Sequence, residues 1–270
     1  MHENARKMLI HFHMFKNGGS TLDWILKKNF GSLFFEFHGP VATSTQRVSD
    51  CLTFLHDHPH AKALSSHHLR FPIDTTREDI LPLLILRHPV DRVISVFEHE
   101  RRQPGIKRSD AKFASLSNWL RSTIANEPYS VCDTQTVFVA DGGTYYEPPN
   151  SIALVRAMET LNCLPFCGVV NLYAESMVVL EDIVRQWNPG FDAAYFPQNV
   201  SIGRHVLLTH RLEAIEKELD QELFDYLWLN NAYDIELFKA ATSKLFARLH
   251  AIDDWETKLN DLKSRCDALR

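Results

Sequence analysis

"MLIHFHMFKNGGSTLDWIL", residues 8–26, places an apolar run, a glycine turn and an amphipathic run in direct succession. Residues 8–14 read as a buried strand. Leu22-Asp23-Trp24-Ile25-Leu26 has helical spacing, which predicts a helix to about Asn29. A strand that turns through glycines into a helix presents free backbone N–H groups at the helix N-terminus, a ready anion site. The turn differs from a nucleoside-triphosphate loop, in which Gly-Lys-Ser/Thr closes the motif. Here Lys16 precedes Gly18 and Gly19. A lysine leading into the turn can reach an oxygen that bridges two anionic groups, and Ser20 and Thr21 add hydroxyls at the first helical turn. Alone, the segment is equally well read as a plain turn with an N-cap serine.

A second stretch extends the pattern. "LPLLILR" (81–87) is a continuous apolar run suited to a parallel strand buried on both faces, and a helix with Pro89 in its first turn follows. Shorter strands are expected at 33–37, 63–65 and 166–170, and helices at 43–56 and 174–187. From about Leu207 to Arg270 the chain reads as helical nearly throughout. Strands alternating with helices imply an α/β fold with a doubly wound, mainly parallel sheet and a helical C-terminal part. No repeat or linker divides residues 1–270, so one domain is expected.

Composition narrows the function. The chain has 270 residues, 45% of them hydrophobic, and a net charge of −5 with histidine neutral, which argues against a general nucleic-acid binder. No stretch has the length of a membrane span, and no signal peptide is visible. Five scattered cysteines point to a reducing compartment, hence the cytoplasm; Cys163 and Cys167 lack the partners of a zinc site.

Arg87 ends the 81–87 strand at the carboxyl edge of the sheet, where ligands bind in such folds, and Ser95 lies about two turns into the next helix. An arginine and a hydroxyl so placed suit a phosphate monoester. Arg92, Arg101 and Arg102 read instead as a solvated helix face pairing with Glu98 and Glu100.

His13-Met14-Phe15-Lys16-Asn17-Gly18-Gly19-Ser20-Thr21 and Leu86-Arg87-His88-Pro89-Val90-Asp91-Arg92-Val93-Ile94-Ser95 together resemble the two donor-binding motifs of sulfotransferases that use 3′-phosphoadenylyl sulfate (PAPS). The pattern is that of the branch with the heparan 2-O- and 6-O-sulfotransferases. "FCGVVNLYAESMVVLE" and "NNAYDIELFKAA" are similar to later stretches of that branch, so the resemblance runs from 8 to about 246. Asn17, Phe15 and His88 stand where the family has threonine, proline and aspartate.

The resemblance implies a P-loop-like fold, PAPS as donor, no metal, and an acceptor hydroxyl, on a glycan or small molecule. It implies that Lys16 stabilises the bridging oxygen, that Asn17, Gly18, Gly19, Ser20 and Thr21 hold the 5′-phosphate, and that Arg87 and Ser95 hold the 3′-phosphate. By position, Ser201 and Arg204 in "NVSIGRH" (199–205) contact the adenine or 3′-phosphate. "LSSHHLRF" (64–71) resembles the segment carrying the proposed base; aligned on Phe71 this is His68, with His67 the alternative. The segments 101–112 and 126–150, with Tyr129, Tyr145 and Tyr146, are expected as loops walling the acceptor. Arg70, Arg101, Arg102, Lys107 and Arg108 could line a basic groove for an anionic glycan. Two rival readings stay open: a P-loop-type kinase, for which no magnesium-binding carboxylate ends the 81–87 strand, and a non-catalytic nucleotide-binding member of the fold.

Overall fold

Five short strands, every pairing parallel, form a sheet of order β2-β3-β1-β4-β5 in the computed structural model. The structure describes residues 8–41, 44–71, 79–102, 115–140, 149–198 and 207–270. The strands are β1 (Met8–Phe12), β2 (Phe34–Glu36), β3 (Ala63–Ser66), β4 (Ile80–Leu86) and β5 (Phe166–Val169). Every residue of β4 is buried, as its unbroken apolar run requires of a strand covered on both faces.

The strand order fixes where a ligand can bind. From β1 the chain crosses through α1 (Gly19–Phe30) to β2, on one side; from β4 it proceeds to β5, on the other. The connections of the adjacent strands β1 and β4 therefore diverge. A doubly wound sheet opens its crevice at such a switch point, beyond the carboxyl ends of the strands. The glycine turn follows β1 and Arg87 follows β4, so topology alone brings the two sequence motifs together.

The other helices are α2 (Val48–Asp57), α3 (Pro89–Arg102), α4 (Leu116–Asn126), α5 (Thr134–Ala140), α6 (Ser151–Cys163), α7 (Tyr173–Arg185), α8 (Leu208–Glu218), α9 (Gln221–Leu229), α10 (Ala232–His250) and α11 (Trp255–Asp267). Ser115, Asn150 and Asp220 cap α4, α6 and α9, each side chain accepting a backbone N–H three residues on. The main core joins the sheet to α1, α7, α10 and α11, with Phe12 stacked on Phe71 at 3.9 Å between ring centroids. A second cluster packs α3 and α4 against α8 and α9 through residues such as Val93, Trp119, Leu223 and Leu227.

The segment 126–150 departs from the loop expected there. It contains α5, all seven of whose residues are buried, and a short 3-10 turn at Pro128–Ser130. A helix enclosed on every side carries no amphipathic period to read. Among the described residues, no helix is long and apolar enough to cross a membrane.

Candidate functional site

The turn after β1 takes its shape from two left-handed residues, Lys16 (φ 66°) and Gly18 (φ 73°), the second being the residue from which α1 starts. Glycine adopts that conformation without steric cost. Gly19 is required for a different reason: a Cβ there would lie 2.2 Å from the His13 ring. Thr21 N–H turns back on the Gly18 carbonyl. Among the described residues, the N–H groups of Gly18, Gly19 and Ser20 have no protein acceptor, which is the arrangement an anion completes. The Thr21 hydroxyl accepts the Gln198 N–H at 3.0 Å and so pins the chain that leads to residue 199.

Asn17 does something other than expected. Its side-chain amide donates inward, to the Ile85 carbonyl (3.0 Å), Gln135 Oε1 (2.8 Å) and Met14 Sδ (3.2 Å), and the residue is buried. The expectation that this amide donates to an oxyanion is corrected: it ties the turn to the end of β4. Gln135 on α5 is the hub of that tie. It accepts the Arg87 N–H (2.9 Å) and donates to the Arg87 carbonyl (2.7 Å). Asp234 on α10 anchors α5 in turn, accepting the N–H groups of Gln135 and Thr136 and the Thr136 hydroxyl. Asp133 Oδ1 accepts the Asp234 N–H; burial, and then the Asp234 charge, push the Asp133 carboxyl up to about 7.

Arg87 is buried beside this hub. Its Nε donates to Asp91 (2.7 Å) and its NH1 to the Lys16 carbonyl (3.2 Å). Arg211 on α8 donates to the same Asp91 (2.8 Å). Burial alone would raise the Asp91 carboxyl, but the two guanidinium groups hold it down at about 2. Two guanidinium groups thus converge on one carboxylate next to the turn. Ser95 is buried on α3. Ser201 and Arg204 lie outside the described residues.

A histidine cluster completes the crevice. Asp23 on α1 bridges His11 Nδ1 and His13 Nδ1, each at 2.7 Å, the His13 contact out of line for a directed hydrogen bond. Burial opposes the Asp23 charge, but these partners hold the carboxyl well below its usual range. Ligand atoms around a zinc ion at about 2.0–2.1 Å would stand wider apart; the contacts are one hydrogen bond, from His11, and one close polar approach, from His13. The His13 ring lies 3.8 Å, centroid to centroid, from that of His67.

The tautomers of His67 and His68 follow from their backbone partners. His67 Nδ1 lies 3.0 Å from the His13 carbonyl, which can only accept, so Nδ1 carries the proton and Nε2 the lone pair. Burial, then the neighbouring His13 and His38, press its pKa down to about 3. His68 is the reverse: the Gly39 N–H, which can only donate, reaches its Nδ1 at 2.7 Å. A neutral His68 thus carries its proton on Nε2. In that tautomer His68 presents a proton at Nε2, where His67 presents a lone pair.

Both rings line a cavity of about 910 Å³, walled also by Phe15, Val96, Tyr129 and the start of α5. Arg92 faces it too, and is not the solvated helix residue expected. It is buried, with Nε on the Phe15 carbonyl and NH1 on the Ser130 carbonyl and Thr134 hydroxyl. Arg101 and Arg102 do pair with Glu98 on the solvent side, while Glu100 accepts the Trp119 indole N–H. Lys107, Arg108, Tyr145 and Tyr146 lie outside the described residues. All five cysteines are free.

Comparison with known proteins places residues 4–240 under the model of the sulfotransferase family. An uncharacterized protein of Archaeoglobus fulgidus is 30% identical over 243 residues, spanning 87% of this chain and 95% of its own.

Proposed function

The chain belongs to the sulfotransferase family, and on that premise we propose that it moves the sulfuryl group of PAPS to an acceptor hydroxyl by in-line displacement. The observation that carries this reading is one juxtaposition. The open N–H groups at the start of α1 and the Arg87–Asp91–Arg211 group share the β1–β4 switch point, next to a cavity lined by a histidine with its Nε2 lone pair available.

The turn from Lys16 to Ser20, a P-loop-like cradle, would hold the 5′-phosphate through backbone N–H groups and the α1 dipole. Arg87, its guanidinium oriented by Asp91, would hold the 3′-phosphate with Ser95. The family resemblance adds Ser201 and Arg204 to that contact. His67 Nε2 takes the acceptor proton as its oxygen forms a bond to sulfur. The bond from sulfur to the 5′-phosphate oxygen breaks, and Lys16 meets the charge that develops on that oxygen. An anionic donor beside His67 raises its pKa from the low value set by the protein alone, toward the range where proton transfer is efficient. The free cysteines support action in a reducing compartment, such as the cytoplasm, and the chain acts as one domain.

Calorimetry with 3′-phosphoadenosine 5′-phosphate and with ATP plus magnesium tests the donor assignment. Binding of the former with little of the latter is expected; the opposite preference would favour a kinase.

A further inference from the structure

Resting on the sulfotransferase reading above, we infer that the acceptor is an uncharged alcohol or phenol carried on an apolar body, and not an anionic saccharide. The site is the cavity that His67 lines. Its volume, about 910 Å³, lies within the range of small-molecule pockets. Its wall is mainly carbon: Phe15, Pro40, Val41, Val96, Pro128 and Tyr129. Phe15 is 38% exposed and Val41 59% exposed, apolar surface that a bound apolar body would cover.

Charge points the same way. Among the described residues of the wall, the guanidinium groups of Arg70 and Arg92 are engaged with backbone oxygens. Arg70 donates to the His67 and Leu69 carbonyls and stacks on Phe138, and Arg92 donates to the Phe15 and Ser130 carbonyls. Arg101 and Arg102, expected in a basic groove, face solvent and pair with Glu98. The described wall also includes the carboxylates of Glu100 and Glu127, which balance the charges of Arg70 and Arg92 and leave that lining without a basic surplus. A polyanion would meet arginines already engaged and already balanced by two carboxylates. A neutral aromatic or alkyl body would meet side chains that displace its water, with the hydroxyl left to reach His67 Nε2.

The test uses labelled PAPS and four acceptors: 2-naphthol, 1-octanol, neutral maltohexaose and an anionic hexasaccharide of glucuronic acid and N-acetylglucosamine. Transfer to naphthol or octanol is expected with kcat/KM at least about tenfold above either saccharide. Phe15→Ser and Val41→Glu, both at exposed positions, should lower the naphthol kcat/KM about tenfold while leaving the affinity for 3′-phosphoadenosine 5′-phosphate unchanged. Saturable binding of naphthol to protein loaded with that nucleotide is measured in parallel, and its absence overturns the inference. So does preference for either saccharide, or indifference to both substitutions. Failure of the nucleotide itself to bind would identify the sulfotransferase reading, and not the acceptor class alone, as the error.

Discussion

Replacing Gln135 by alanine removes the hub that holds the two ligand-facing loops together. The buried side chain makes hydrogen bonds to Asn17, to the N–H and carbonyl of Arg87, and a longer one to Asp234. Asn17 keeps the Ile85 carbonyl, and Asp234 keeps its backbone donors. Among the described residues, the Arg87 N–H and carbonyl have no other partner to keep. Each buried group left unsatisfied costs about 1–3 kcal/mol, so the pair with the small cavity amounts to about 3–5 kcal/mol. Set against a total stability of roughly 5–15 kcal/mol, the variant still folds. Its thermal midpoint should fall by on the order of 10 °C, at about 2–4 °C per kcal/mol for a chain of this size. Urea denaturation gives the difference directly. Gln186→Ala, at an exposed position after α7, is the control and should stay within about 0.5 kcal/mol of wild type. A Gln135→Ala loss as small as the control's would refute the claim that this hub joins the turn to β4.

Two further substitutions separate the adjacent histidines. His67→Ala should cut the transfer rate by about 10²–10⁴ with nucleotide affinity retained, and His68→Ala should cut it less; the reverse ranking in single-turnover assays would restore His68 as the base. Because His67 is held at about 3 in the free protein, the limb of kcat/KM assigned to the base should lie well below the ordinary histidine range. Asp133 gives a pH signature in stability. Its carboxyl is raised to about 7, so its contribution is fully present below the unfolded value of 3.8 and is lost as pH rises through 7. Asp133→Asn, which tolerates the φ of 43° and still offers an oxygen to the Asp234 N–H, should match wild type at about pH 4 and exceed it at about pH 8 in urea midpoint. Equal midpoints at both values would contradict the raised carboxyl.

The elements that frame the site were legible because each has a local signature. The unbroken apolar run of β4 and the apolar-glycine-amphipathic order of β1 and α1 need no partner to be read. What escaped depends on distant partners. Arg92 looks like its helix neighbours Arg101 and Arg102 until the carbonyls of Phe15 and Ser130 close on it. Alignment on Phe71 selects His68, yet the nitrogen that bears its proton is decided by Gly39, 29 residues away. The inward turn of Asn17 depends on Gln135, on a helix without a readable period. Nothing local in the sequence links the histidines at 11 and 13 to Asp23, which only the fold brings between them.

The most direct test of the central claim is transfer of labelled sulfate from PAPS by wild-type protein and by Lys16→Ala, with 3′-phosphoadenosine 5′-phosphate affinity measured on both. Lys16 stands in the left-handed turn just before the open N–H groups of α1. The account predicts transfer by wild type, loss of at least about 10²-fold in rate for the variant, of the size found when one transition-state contact is removed, and nucleotide affinity kept within about tenfold. A wild-type protein that binds the nucleotide but transfers no sulfate to any acceptor, or a Lys16→Ala variant with near-normal turnover, would contradict it.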